Sequence, residues 1–189
     1  MIKLVGAWAG GALIALLGAS GMACADDYVA DGTASRLNFS GLQAGAAFNG
    51  IFHAFTAVIA FNPQDLPASR FDVQVDLKSL DTMDKDRDQI MRGADLFDVA
   101  RFSTARFVTR SFSKTAKGYS AMGSLTLHGV TRDVPIDFQF AATGDTARLE
   151  GSAGVKRLDF GVGQGDWKST EWVADAVKIS FTLVLTRKP

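Results

Sequence analysis

The most regular pattern in this chain is the alternation of apolar and polar positions over two segments. Segment 177–185 carries an apolar side chain at every odd position and mostly polar side chains between them. Segment 71–77 repeats the pattern, with Asp72, Gln74 and Asp76 between its apolar residues. Successive side chains of a strand point to opposite faces, so this period predicts antiparallel strands with one buried and one solvated face.

Further strands are predicted along most of the remaining chain. The segments with strand-like apolar runs or alternation are 37–39, 48–61, 105–112, 119–127, 134–141 and 147–155. A turn over 128–133 would join two of them into a hairpin. Roughly eight strands predict an all-β fold, and a closed antiparallel barrel of that size can hold one small ligand. A two-sheet sandwich is the structural alternative. Closure is favoured because an open sheet would expose two long apolar edges.

Segment 48–61 differs from the others because it is apolar at both odd and even positions. One face would hold Ile51, Phe55, Ile59 and Phe61, and the other Phe52, Ala54 and Val58. Such a strand is covered on its outer side as well as its inner side, or is paired at a partner surface. The segment therefore predicts a docking surface, which would suit a homodimer.

One segment, 84–97, is predicted to be helical. Acidic residues cluster at its start, where they favour the positive end of the helix dipole. Ile90, Ala94 and Phe97 would share one face. Thr82 or Asp81 would provide the N-terminal cap.

The first 25 residues have the composition of an export signal. Lys3 supplies a positive start, residues 12–17 an apolar centre, and Ala23-Cys24-Ala25 a cleavage site of small residues. Cleavage after Ala25 would leave residues 26–189 as one domain without cysteine, exported to the periplasm.

Two other outcomes remain open for this segment. Cys24 is a candidate for lipidation, although Gly21 stands where such motifs favour leucine. A retained membrane anchor is the other outcome, but the apolar stretch is short and rich in glycine and alanine.

Charge and residue types exclude several functions. Lysine and arginine together number 20, as do aspartate and glutamate, and no basic cluster stands out. Nucleic acid and anionic membrane surfaces are therefore poor partners. His53 and His128 alone, without cysteine, do not make a zinc site. An enzyme acting on a bound lipid would need an acid–base pair, and none is evident, so no catalytic or metal-binding residue is predicted.

Three motifs resemble those of the YceI-like family. The run from Gly123 to Arg132 (GSLTLHGVTR) resembles the family's hairpin, and Asp159-Phe160-Gly161-Val162-Gly163 with 173–179 resembles its C-terminal signature. Phe97-Asp98 with 102–107 is similar to the motif after the family's helix, although Ser103 stands where the family has proline.

The resemblance implies an extended lipocalin-like barrel of eight antiparallel strands with one short helical insertion. It also implies export to the periplasm and a long isoprenoid or other amphiphilic lipid in the lumen. Some relatives resemble partners of membrane b-type cytochromes, which suggests isoprenoid quinone as a ligand and such a cytochrome as a partner. No cofactor besides the bound lipid is expected. The alternative is an accessory protein that docks to the cytochrome and whose lumen is a packed core.

Alternation and resemblance together predict the lining of the lumen. The predicted lumen residues are Phe39, Phe55, Ile59, Phe71, Val73, Val75, Leu77, Phe107, Leu125, Leu127, Ile136, Phe138, Ile179 and Phe181. A ten-residue strand spans about 33 Å, and a tilt near 45° gives a barrel about 23 Å high, enough for several isoprene units along its axis.

The polar head of the lipid is assigned to one of two places. Asp166, Trp167 and Trp172, in or next to the glycine-rich loop 161–170, form one candidate head-group end. His53, on an otherwise apolar face, is the other. The competing interpretation is that the tryptophans only cover a barrel end and that His53 is a hydrogen-bonded core residue.

Overall fold

A computed structural model describes residues 26–188, which form eleven strands and one α-helix. The strands are β1 (Asp26–Ala30), β2 (Arg36–Gln43), β3 (Ala46–Phe52), β4 (Phe55–Phe61), β5 (Arg70–Asp76), β6 (Leu80–Asp81), β7 (Thr104–Thr115), β8 (Gly118–Leu127), β9 (Val130–Thr143), β10 (Thr146–Lys156) and β11 (Ala176–Arg187). The helix, α1 (Lys85–Arg92), lies between β6 and β7. The proposed signal peptide, residues 1–25, lies outside the described residues.

The strands form one antiparallel sheet that closes on itself. β11 pairs with β10 along one side, and along the other with β2 near its start and β1 near its end. β1 and β2 thus share one position in the ring, and β4 and β3 share the next. The ring then has eight positions, in the order β1–β4–β5–β7–β8–β9–β10–β11. The eight-stranded barrel is confirmed, and the sandwich is excluded.

β1 is absent from the sequence-based prediction, although it closes the ring. It has only five residues, and its first two are exposed aspartates. Its anchor is Tyr28, which is 1% exposed and lies opposite Ile59 of β4 and Arg187 of β11. So short a segment carries too few alternations to identify a strand.

The prediction of one two-sided strand over 48–61 is wrong. The strand is interrupted at His53 and Ala54, and the inward face changes from even positions in β3 to odd positions in β4. Phe52 therefore faces the same interior as Phe55, while Val58 faces solvent and is 41% exposed. Two ordinary one-sided strands of opposite parity produce the doubly apolar pattern, so it does not indicate a partner surface.

The helix is shorter than predicted, and its cap is a different residue. Asp84 caps it, since its side chain accepts a hydrogen bond from the Arg87 backbone N–H at 3.0 Å. Thr82 instead donates its hydroxyl to Asp88, and the Asp81 carboxylate accepts from the Met83 N–H. Gly93 leaves helical geometry with ψ at 168°, so the following residues do not continue the predicted helical face.

The turn between β8 and β9 is also tighter than predicted. Only His128 and Gly129 connect the strands, with φ of 52° and 75°. Positive φ at both positions is the geometry of a two-residue hairpin turn whose twist matches the flanking strands. Residues 130–133 are therefore strand and not turn.

One end of the barrel is filled by aromatic rings. The aromatic cluster consists of Tyr28, Phe61, Phe71, Phe112, Tyr119, Phe138 and Phe140. Phe61 lies at its centre, with the centroids of five other rings 4.8–5.9 Å away. Edge-to-face packing of this kind adds to the stabilisation from burying the rings. The barrel is thus a packed core at this end.

Candidate functional site

The other half of the barrel contains an apolar cavity of about 430 Å³. It extends from the aromatic cluster, where Ile59, Phe71 and Leu149 line it, to helix α1. The volume falls within the usual range of small-molecule sites, which are mostly apolar with few polar groups. The interior of this protein is therefore only partly filled by its own side chains.

Every predicted lumen residue except Phe138 lines this cavity. Phe138 faces the interior as its alternation requires, but it is 3% exposed and packs in the aromatic cluster. These rings close the lumen at one end. The prediction of a lumen along the full height of the barrel is therefore wrong. Face is set by alternation along a strand, whereas depth depends on how the strands are staggered around the ring.

Glycines in the wall help to keep the cavity open. Gly151 of β10 lies opposite Phe181 of β11, and a Cβ at position 151 would come within 2.5 Å of the Phe181 ring. Gly123 of β8 lies diagonally across from Phe107 of β7, and a Cβ at position 123 would come within 2.4 Å of the Phe107 ring. Each ring lies over a glycine of the neighbouring strand, so it covers the wall and does not extend across the lumen.

The mouth of the cavity lies beside the N-terminal turn of α1. Asp86 and Ile90 line the cavity yet are exposed, which locates the opening between the helix and the barrel rim. Arg87 is the central polar residue there. Its Nε donates to Oε1 of Gln43 at 3.1 Å, and its Nη2 lies 3.2 Å from Oδ2 of Asp84.

Sequence reasoning missed these mouth residues. The guanidinium of Arg87 also lies 5.1 Å from the ring centroid of Phe48, a cation–π contact with the apolar wall. Gln43 is the last residue of β2, and Arg87 comes more than forty residues later on α1, so only the closed barrel brings them together. The one sequence signal for Arg87 is the charged first turn of the predicted helix, which fits the helix dipole and does not by itself indicate a cavity mouth.

Arg157 is a buried cation next to the cavity. It is 5% exposed and donates to four backbone carbonyls, those of Val162, Ser169, Val173 and Ala174, at 2.9–3.2 Å. Burial lowers the pKa of its guanidinium, and Asp175 acts in the opposite direction. An arginine stays protonated even so. Its role is to tie the loop that contributes Val162, Trp167 and Val173 to the wall.

Of the four predicted head-group residues, the structure brings only Trp167 to the cavity. Asp166 and Trp172 are exposed and do not line it, and Trp172 is 68% exposed. Trp172 precedes Val173, which bridges to Gln43 and takes the inward place. His53 lies at the break between β3 and β4 with its side chain 60% exposed, 3.2 Å from Oδ2 of Asp81. It is therefore neither a lumen residue nor a core residue.

Within residues 26–188, no group of three or more histidine, aspartate or glutamate side chains is arranged to hold a metal ion. The His128 ring packs at a tilt of 58° against Phe102 with centroids 4.7 Å apart, and its buried Nε2 has no hydrogen-bond partner among the described residues. No helix in this part of the chain is long and apolar enough to cross a bilayer.

Comparison with known proteins places this barrel among related chains. A family model described as a YceI-like domain matches residues 28–185. A UPF0312 protein of Vibrio cholerae is 34% identical over 148 residues, which are 73% of this chain and 78% of that protein.

Two solved structures share the fold. The crystal structure of Burkholderia cenocepacia BcnA is 32% identical, with a TM-score of 0.77, covering 82% of this chain and 98% of that one. A polyisoprenoid-binding domain from Saccharophagus degradans, implicated in plant cell wall breakdown, is 19% identical. Its TM-score is 0.66, and the match covers 85% of this chain and 98% of that domain.

Proposed function

This chain belongs to the YceI-like family, and from that premise we propose that it is a periplasmic, non-catalytic carrier of a long-chain isoprenoid, an isoprenoid quinone or a similar amphiphilic lipid. The observation that carries the proposal is the apolar cavity of about 430 Å³, open beside α1 and lined by the alternate residues of a closed barrel. The relative from Saccharophagus degradans, described as a polyisoprenoid-binding domain, supports the same class of ligand.

The energetics of the lumen decide which part of a lipid is recognised. Burying one methylene group from water is worth about 0.8 kcal/mol, but a lipid leaving a bilayer is already out of water. Transfer of the tail is therefore nearly neutral, and selectivity has to come from shape and from the head group. The aromatic cluster limits how deep the tail enters, while Gln43, Arg87 and Trp167 offer N–H groups near the mouth.

The first test is identification of the bound lipid. The protein is purified from its own host without detergent, extracted with organic solvent and analysed by mass spectrometry. We expect one defined prenyl or fatty lipid at close to one per protein. Recovery of no lipid, or of a mixture in the proportions of the host membrane, would contradict the carrier function.

A lumen-filling variant links that lipid to the cavity. Ala153 of β10 lines the lumen, and Ala153→Phe places a ring inside it. Ala176, at the start of β11, is exposed on the outer wall, so Ala176→Phe is the matched control. We expect Ala153→Phe to lose most of the bound lipid and Ala176→Phe to keep it, with both variants folded by circular dichroism. Equal lipid content in the two variants would place the ligand elsewhere.

A further inference from the structure

Large apolar side chains are exposed at few places on this protein, and most of these places surround the mouth. Seven large hydrophobic residues are exposed within residues 26–188, of which Val29, Val58 and Met122 lie elsewhere on the barrel wall. The other four define the rim: Leu42, Met83, Ile90 and Trp172, which are 46%, 86%, 47% and 68% exposed. Ile90 lines the cavity itself, and each of the others is next in sequence to a lining residue.

The contacts of Arg87 and Gln43 bring the two sides of the rim together. Arg87 hydrogen-bonds Gln43, the neighbour of Leu42, and pairs with Asp84, the neighbour of Met83. Gln43 also bridges to Val173, and the Trp172 carbonyl accepts from the Ala44 N–H at 2.7 Å. The rim residues therefore lie on one end of the barrel, around one opening.

Met83 is held in an exposed position by its backbone. Its φ is 59°, in the left-handed region that non-glycine residues rarely adopt, and its N–H donates to Oδ1 of Asp81 at 2.7 Å. A methionine fixed in this way is the most exposed large apolar side chain in the described part of the chain. Strained backbone that persists in a fold is concentrated at functional positions.

We propose that the rim docks on the surface of a phospholipid bilayer and inserts its apolar side chains, so that a lipid passes between membrane and lumen without crossing water. This proposal rests on the lipid-binding function proposed above. Tryptophan is favoured at the membrane interface, where its ring contacts apolar and polar layers together. A lipid that crossed water instead would expose its whole tail. The free-energy cost for each methylene group would equal the contribution that keeps that group in the membrane.

The charges around the mouth identify the kind of bilayer. The charged residues that line the cavity are Asp84, Asp86, Arg87 and Arg157, and their formal charges cancel. The rim thus has no net attraction for anionic lipid, and its affinity comes from apolar insertion. Binding should then be similar on zwitterionic and anionic membranes and change little with salt, because electrostatic attraction is the part that salt screens.

The test measures co-sedimentation of the purified protein with phosphatidylcholine vesicles, with and without phosphatidylglycerol, at low and high salt. Trp172→Ser and Leu42→Ser should each weaken vesicle binding by about tenfold or more, since burial of one large apolar side chain contributes on that scale. Val58→Ser, which removes a residue from the outer wall that is about as exposed as Leu42, should leave binding unchanged.

Lumen binding is measured separately, with farnesol added from ethanol in the absence of vesicles. Rim variants that bind farnesol normally but lose vesicle binding would support membrane docking. Farnesol binding without any vesicle binding, or vesicle binding lost equally in Val58→Ser, would overturn the docking proposal and leave the lipid-binding function intact. Self-association through the rim, seen as a dimer that Trp172→Ser converts to monomer, would likewise overturn it. Vesicle binding through the rim without lumen binding would instead contradict the carrier function.

Discussion

Phe39 of β2 and Gly50 of β3 lie directly opposite each other in the sheet, and the phenyl ring covers the glycine. A Cβ at position 50 would come within 2.3 Å of Cζ of Phe39, so the ring occupies the space of the missing side chain. The pair forms part of the lumen wall close to the mouth. It shows that the width of the cavity depends on glycine as much as on the apolar residues that line it.

Gly50→Ala should therefore narrow the lumen. The contacts in the way are all atoms of the Phe39 side chain, so the ring is expected to rotate into the cavity. We expect weaker farnesol binding and a loss of about 1–3 kcal/mol in the free energy of unfolding, the usual cost of overpacking. Gly32→Ala is the control, because a Cβ there has no neighbour within 4 Å. Unchanged binding in Gly50→Ala would show that Phe39 moves outward.

The hydrogen bond between Arg87 and Gln43 should slow ligand exchange, because it joins α1 to the end of β2 across the mouth. Gln43→Ala removes the acceptor without changing charge. The dissociation rate of a fluorescent prenol should rise by up to about tenfold, since one hydrogen bond contributes on the order of 1 kcal/mol. The control is Arg148→Ala, which removes an exposed ion pair with Glu150 at the end of the barrel that holds the aromatic cluster. Equal dissociation rates in all three proteins would exclude a gating role.

Arg157 should be far more important for stability than any exposed arginine. Arg157→Met leaves four backbone carbonyls without their donor in a mostly buried place, which should cost about 3 kcal/mol or more in unfolding free energy. Arg36 provides the comparison. It too donates to backbone carbonyls, two of them, but its side chain is exposed. Denaturant unfolding should show a small effect for Arg36→Met. A similarly small effect for Arg157→Met would show that the loop holds without it.

Asp72 should make the stability of the barrel depend on pH in acid. Hydrogen bonds from Arg106, at 2.9 and 2.6 Å, and from Arg70 hold the pKa of this carboxyl below its usual value. A lowered pKa in the folded state stabilises the fold above the pKa of the unfolded chain, near pH 4. That contribution is lost as the pH falls through the folded-state value.

The measurement is unfolding of the wild-type protein and Asp72→Asn between neutral and strongly acidic pH. The two proteins should differ at neutral pH and converge as Asp72 becomes protonated. In an Arg106→Gln background the difference should shrink, because the main partner is gone. A difference that stays constant down to the lowest pH would show that Asp72 acts through something other than its charge.

The fold class and the inward face of most strands follow from the order of the amino acids. In β5 and β11 the outward positions are polar enough that water must cover them. The residues that line the cavity therefore follow from the alternation of side chains at every second position. The same reasoning failed at His53 and Ala54, where an interruption shifts the parity. Alternation holds only within a continuous strand, and neither of the two residues at the interruption predicts it from the sequence.

The depth of each residue in the barrel and the composition of the mouth depend instead on how the strands pack in three dimensions. Phe138 and Ile136 share a face of β9, yet the first packs in the aromatic cluster and the second lines the cavity. Their depth depends on the stagger of strands around the closed ring, which is a property of all eight positions together. The mouth likewise exists only because closure brings the end of β2 against α1, two segments that are distant in sequence.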